Sequence, residues 1–255
     1  RKGVLVRYDR EKDNFTRILH KPSDQISLVN YRIDHLLVDQ SNNLWIAINS
    51  IDTTYPAGLV RFNISTGQVK PFFHDPVDPN GILDRWIRTL YEDQQGRILI
   101  GTTKSGFHIF NAKNESITRQ SYDPENVSQI HAPYSEEIVY GHPPNVHIIH
   151  QDQNGGYWIG TEGKGVNYFG QNDGAVKNYN FNLVNPEVTT SILEDRQGTI
   201  WIGGMMGAGL FKTDLYSLKY QLNTDFRNVG RVLQSPYDPD ILWICSQQYG
   251  LRKIN

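Results

Sequence analysis

Apolar residues in this chain come in short alternating runs, without the three-to-four spacing of amphipathic helices. Ser191–Gly203 sets the pattern. Ile192 lies in a first run, Asp195 to Gly198 breaks it, and Ile200 and Ile202 flank Trp201. This predicts a strand, a tight turn and a second strand. The pattern recurs as D-Q-S-N-N-L-W-I-A from Asp39, D-Q-Q-G-R-I-L-I-G from Asp93 and D-Q-N-G-G-Y-W-I-G from Asp152. In all four copies the Asp lies six positions before a large apolar residue: Trp45, Leu99, Trp158 or Trp201. A fifth, looser copy ends in Leu242-Trp243-Ile244-Cys245, with Asp238 one place out of step. These anchors are 54, 59, 43 and 42 residues apart. A period just above 40 with variable insertions marks a propeller or another repeat array.

The chemistry of the turn explains its residues. An Asp side chain accepts hydrogen bonds from backbone N–H groups just ahead of it. Gly96, Gly155 and Gly198 fall where positive φ is needed, and Asn42 fills that slot in the first copy. The four aspartates are therefore expected to be scaffold and not catalytic carboxylates. The repeated Trp slot, at Trp45, Trp158, Trp201 and Trp243, is expected to be buried between neighbouring units. A third strand follows each hairpin: Gly58–Asn63, Gly106–Asn111, Gly165–Phe169, Gly209–Asp214 and Gly250–Asn255, with a partial copy at Leu5–Asp9. A turn then leads to a fourth strand, as in Ser65–Phe72. Four strands per unit of about 40 residues make a propeller blade.

The pattern apolar-x-x-D-x-x-G-x-[LI]-W-I-G-T followed by G-L-x-x-[FY]-[ND] resembles the two-component regulator propeller repeat. Ile98–Thr102 and Tyr157–Thr161 match its core, and the resemblance spans nearly the whole chain. Departures stand at Asn42, Ala47, Leu99, Tyr237 and Cys245. The resemblance implies an all-β fold, a β-propeller of four-stranded antiparallel blades, and an arc cut from a seven-bladed propeller. Residues 1–255 read as one propeller segment, with blades at 28–73, 84–122, 145–181 and 187–222 and partial blades at 1–22 and 229–255. The long connector Asp123–Pro144 is expected to be functional or mobile. Both a Phe15–His20 strand and a Gly250–Asn255 strand are expected, which is one strand too many for a five-bladed ring. The two are therefore expected to remain unpaired with each other.

Composition narrows the partners. The chain has 255 residues, 38% hydrophobic, with 25 Lys and Arg against 27 Asp and Glu. A net charge of −2 favours neither nucleic acid nor an acidic membrane. No apolar run reaches the length of a membrane span. Cys245 is the single cysteine and takes the small-residue slot of Gly101, Gly160 and Gly203, so a buried, inert thiol is expected.

Varied loops on a uniform scaffold are where ligands bind. In propellers of this family the loops between strands two and three, and those between blades, emerge on the face opposite the D-x-x-G turns. That face collects the candidate ligand residues Arg32, Asp84, Arg85, Trp86, His142, Glu162, Arg227 and Tyr249, with Tyr31, Tyr55, Lys104 and Lys164 beside them. Aromatic rings cover the apolar faces of sugars, and Arg pairs carboxylates or sulfates. No catalytic residue, cofactor or metal is assigned; His131, His142, His147 and His150 lack a zinc spacing.

The family resemblance implies a periplasmic, non-catalytic sensor segment of a hybrid two-component system. It implies a polysaccharide breakdown product or other carbohydrate as ligand, a histidine kinase downstream, the remaining blades of the same protein, and a homodimer. The alternative is a propeller enzyme, a lyase or glycoside hydrolase, with His142 as its candidate. A WD40-like interaction propeller ranks last, because its G-H and W-D dipeptides are missing from the blades.

Overall fold

A computed structural model describes residues 4–19, 26–28, 31–50, 53–120, 130, 145–163, 165–170, 176–179, 188–205, 209–214, 221–223 and 226–254. Every regular element among them is a strand, as the alternating pattern predicts. The strands form antiparallel sheets of sequential neighbours. β1 (Leu5–Asp9) and β2 (Asn14–Ile18) pair as a hairpin. β3 (Arg32–Val38), β4 (Asn43–Asn49), β5 (Gly58–Asn63) and β6 (Val69–Phe73) form the first four-stranded sheet. β7 (Ile87–Glu92), β8 (Ile98–Thr102), β9 (Phe107–Asn111) and β10 (Ser116–Gln120) form the second. β11 (Val146–Gln151), β12 (Tyr157–Thr161), β13 (Val166–Phe169) and β14 (Val176–Tyr179) form the third. β15 (Val188–Glu194), β16 (Thr199–Met205), β17 (Leu210–Asp214) and β18 (Gln221–Asn223) form the fourth. A final sheet has β19 (Val229–Gln234), β20 (Leu242–Ser246) and β21 (Gly250–Ile254). The chain divides into two compact units, residues 1–119 and 120–255.

Packing follows from the period of two. Successive side chains of a strand point to opposite faces of its sheet. On β4, Trp45 and Ala47 enter one core with Ile87, Leu90, Ile98, Phe110 and Ile117 of the next sheet, while Ile46 and Ile48 enter another with Leu5, Leu28 and Tyr31. β16 divides likewise: Ile200 and Ile202 join Trp158, and Trp201 packs against the cluster of Val229, Val232 and Ile244. Second strands buried on both faces read as continuous apolar runs, with the turn as the only polar break.

The small-residue slot has a steric cause. A Cβ on Gly203 would stand 2.6 Å from Val229 Cγ1, and one on Gly160 would stand 2.5 Å from Thr189 Cγ2. The first strand of the following sheet lies directly on these positions. This corrects the expectation for Cys245, which is exposed. Among the described residues no following sheet lies on β20, so its slot carries no such limit. Trp243, also expected to be buried, is 37% exposed for the same reason. Trp45 (1%) and Trp158 (0%) are buried as expected, while Trp201 is half-buried. Trp45 is covered by Phe110 on a third strand and shares its core with Ile117 on a fourth. Trp201 faces a sheet of three described strands.

Candidate functional site

Each sheet has two chemically different ends. At one end the turn between its first two strands is built around a single carboxylate. Asp195 Oδ1 accepts from the N–H groups of Gln197 and Thr199 (both 2.9 Å), and Oδ2 accepts from Trp201 Nε1 (2.7 Å). Asp152 does the same for Asn154, Gly156 and Trp158 Nε1, all at 2.9 Å. Asp39 takes the Asn43 N–H and Trp45 Nε1 (2.7 Å). The six-residue spacing thus places an indole N–H against its own turn's carboxylate. Where Leu99 replaces Trp, Arg97 Nε donates to Asp93 Oδ2 instead, at 2.7 Å. Asn42, Gly96, Gly155 and Gly198 have positive φ, as the turn requires. The last hairpin departs from this plan. Ser235, not Asp238, opens its turn: the Ser235 N–H donates to Ile241 O, and the hydroxyl accepts from the N–H groups of Tyr237 and Asp238.

The other end carries a β-bulge that sequence reading did not find. The register slips between Ile33 and His35, Ile87 and Thr89, Val146 and Ile148, Thr189 and Ser191, and Val229 and Arg231. One first-strand residue is therefore left out of the pairing in every sheet with a first strand of this kind: Asp34, Arg88, His147, Thr190 and Gly230. Bulges re-aim side chains and gather beside functional sites. These five share no residue type, so no sequence motif announces them.

In the first unit, equivalent residues of neighbouring sheets meet at this end. Arg32 and Trp86 each stand just ahead of Ile33 and Ile87, and the Arg32 guanidinium carbon lies 5.9 Å from the Trp86 ring centre. The bulged residues also meet. Arg88 Nη1 lies 3.7 Å from Asp34 Oδ2, and Asp34 also pairs closely with Arg32 Nε and accepts from Asn49 Nδ2 (2.8 Å). Asn49 binds both backbone groups of Ile87, accepting its N–H (3.0 Å) and donating to its carbonyl (3.1 Å). The Asp84 carboxylate is buried and accepts from the N–H groups of Trp86 (3.0 Å) and Lys104 (2.5 Å), which fixes the loop ahead of β7. Arg85 reaches the Tyr55 carbonyl (2.8 Å), and Tyr55 meets Tyr31 edge-on at 6.1 Å. Burial and the neighbouring Tyr55 push the Tyr31 hydroxyl above its ordinary pKa.

In the second unit the candidates fall into two groups. Glu162 pairs closely with Asn145 Nδ2, and His147 Nε2 lies 3.4 Å from the same carboxylate. Arg227 and Tyr249 are exposed and flank Ser246, whose hydroxyl donates to the Arg227 carbonyl (2.7 Å) and accepts from the Tyr249 N–H (3.3 Å). His142, Lys164 and the connector 123–144 lie outside the described residues, apart from position 130. Among the described residues no group of three His, Cys, Asp or Glu side chains is placed to hold a metal. No helix among them is long and apolar enough to cross a membrane.

A family model for the two component regulator propeller matches residues 81–104, 141–163 and 182–205. Three segments of the chain are therefore similar to that propeller repeat. Each matched segment includes a first strand with its bulge, the turn that follows and the second strand. Histidine kinase P4 of Formosa agariphila is 25% identical over 228 residues, which is 87% of this chain and 15% of that protein. The extracellular domain of a hybrid two component system from B. thetaiotaomicron aligns with a TM-score of 0.72 at 16% identity, covering 100% of this chain and 34% of that one. Virginiamycin B lyase from Staphylococcus aureus aligns with a TM-score of 0.62 at 8% identity, covering 99% of this chain and 77% of that one. The propeller blade is common to sensor-type and enzyme-type proteins, and fold alone does not choose between them. The chain spans well under two thirds of the histidine kinase and of the extracellular domain it matches.

Proposed function

We propose that this chain is a ligand-sensing segment of a bacterial hybrid two-component system, outside the cytoplasm, that binds a carbohydrate or a polysaccharide breakdown product and signals to a histidine kinase. The observation that carries the reading is the bulge end of the first two four-stranded sheets. There a half-buried Trp86 stands beside Arg32, on loops pinned by Asp84, Arg85 and Asn49. An aromatic face with guanidinium groups on a fixed scaffold suits a sugar ring bearing polar or acidic substituents. Likeness to a histidine kinase and to the extracellular domain of a hybrid two component system supports the signalling role and a periplasmic location.

In this reading the blades belong to an arc of a seven-bladed propeller, and the full protein works as a homodimer. Glu162, Arg227 and Tyr249 are its candidate contacts in the second unit, and the segment itself performs no chemistry. The enzyme alternative has one observation in its favour, His147 beside Glu162. Thermal-shift screening of neutral and acidic mono- and oligosaccharides tests the proposal. A sugar that raises the melting temperature and is recovered intact supports it. Turnover of that sugar would replace it with the enzyme reading, and stabilisation by no sugar would overturn it.

A further inference from the structure

Arg88 is a described residue at the bulge end whose bonding is incomplete. Its Nε is buried and has no hydrogen-bond partner among the described residues. Its Nη1 stands 3.7 Å from Asp34, beyond hydrogen-bond reach, while its side chain keeps 29% of its surface open. Asp34 cannot supply what is missing. It is already engaged by Arg32 and by the Asn49 amide, and Asn49 is itself fixed by the Ile87 backbone. A partly open guanidinium therefore stands beside the Arg32–Asp34 pair without an acceptor for its Nε among the described residues. The charge balance has the same sense: the guanidinium groups of Arg32 and Arg88 stand against the Asp34 carboxylate, and backbone N–H groups hold the Asp84 carboxylate. Both carboxylates already accept hydrogen bonds from the protein.

We infer that this end of the first two four-stranded sheets is an anion subsite, in which Arg88, with Arg32, binds a carboxylate or sulfate group while the Trp86 ring covers the apolar face beside it. The inference deepens the sensing reading and rests on it for the nature of the ligand. A planar, two-oxygen anion matches the guanidinium fork, which a neutral hydroxyl does not. The bulge supplies the geometry. A regularly paired β7 would leave no residue out of register at Arg88, and the side chain would follow the strand's ordinary alternation. The subsite selects an acidic sugar over its neutral counterpart, because a neutral sugar brings no charge to the partly open Arg88 and Arg32 guanidinium groups.

The test uses the whole chain, isotope-labelled so that the arginine Nε and tryptophan indole signals are followed by NMR. D-glucuronate, D-glucose and sodium sulfate are titrated separately. Glucuronate and sulfate should each move the Arg88 Nε signal, and glucuronate should also move the Trp86 indole. Arg88→Gln should weaken glucuronate binding by about tenfold or more, the loss of a charge-assisted pair. Arg32→Gln, at an exposed position, serves as the second variant if Arg88→Gln fails to fold, and should also weaken binding. An Arg88 signal unmoved by either anion overturns the subsite, as does glucuronate binding unchanged in both variants. Equal responses to glucose and glucuronate would overturn the anion inference and leave carbohydrate sensing standing. Sulfate binding at Arg88, with no sugar stabilising the chain, would support the subsite and remove the carbohydrate reading.

Discussion

β7 can be compared with itself, end against end. Past its C-terminal end lies Asp93, buried, with one oxygen accepting from the N–H groups of Gln95 and Arg97 and the other from Arg97 Nε. Near its N-terminal end lies Arg88, bulged, with a buried Nε that nothing described accepts from. Five residues apart, the first group closes a turn and the second keeps a buried donor without a described acceptor. The turn end repeats because every blade must reverse its chain in the same way. The bulge end varies because the bulge fixes a direction and leaves the side chain free to differ. A fold can keep its stability in one place and its specificity in another when each blade separates them along the strand.

Removing scaffold should cost far more than removing presentation. Trp45→Ala deletes an indole packed edge-on to Phe110 at 4.9 Å and bonded to Asp39, and should destabilise by about 3–5 kcal/mol in urea unfolding. Trp86→Ala, at a half-buried indole, should cost no more than about 1 kcal/mol. Similar losses for the two would break the comparison.

Asn49→Ala sharpens it, because Asn49 belongs to the bulge end and yet holds two neighbouring first and second strands together. It should cost about 1–3 kcal/mol, the range for leaving a buried backbone pair unsatisfied. Asn49→Asp keeps the acceptor for the Ile87 N–H but sets a carboxylate against the Ile87 carbonyl and Asp34, so it should not restore stability. A variant as stable as the parent would show that the amide is dispensable.

Acidity provides a smaller effect with a defined sign. Burial holds His108 and His150 below their ordinary pKa of 6.5. A depressed histidine favours the folded state above the unfolded value and loses that contribution as pH falls through 6.5 toward the folded value. Burial holds Glu92 and Glu194 above 4.5, so their contribution runs oppositely and is lost as pH rises through the raised values. The His150–Glu194 contact, 3.8 Å long, is therefore no strong ion pair at neutral pH. Melting temperature should fall as pH is lowered from 7.5 to 6, and His108→Gln with His150→Gln should flatten that slope. An unchanged slope in the double variant would contradict the assignment.

Much of this was legible in the sequence, for physical reasons. Alternation exposes strands, and a positive-φ residue three places after an Asp exposes a turn. The partnership of that Asp with the indole six places on was hidden, because spacing does not say which donor turns back to it. Position alone also misplaced Asp238: the last turn is two residues longer, and Ser235 takes over its opening bonds. Trp243 and Cys245 occupy the repeat's slots but lack a following sheet among the described residues, and burial depends on neighbours that a motif does not contain. At the other end residue type singles out Arg32 and Trp86 as candidates, and the structure sets them side by side. Arg88, Asp34 and Asn49 escaped notice because a bulge is defined by pairing register, which residue type does not encode.

The most direct test of the division between the two ends uses two variants of β7's own sheet. The unfolding free energy of Asp93→Asn should fall by about 1–3 kcal/mol, because the amide cannot accept as the carboxylate does from two N–H groups and Arg97. Arg88→Gln should stay within about 0.5 kcal/mol of the parent or exceed it, since it removes a buried donor with nothing to donate to. An Arg88→Gln loss equal to or larger than that of Asp93→Asn would contradict the account.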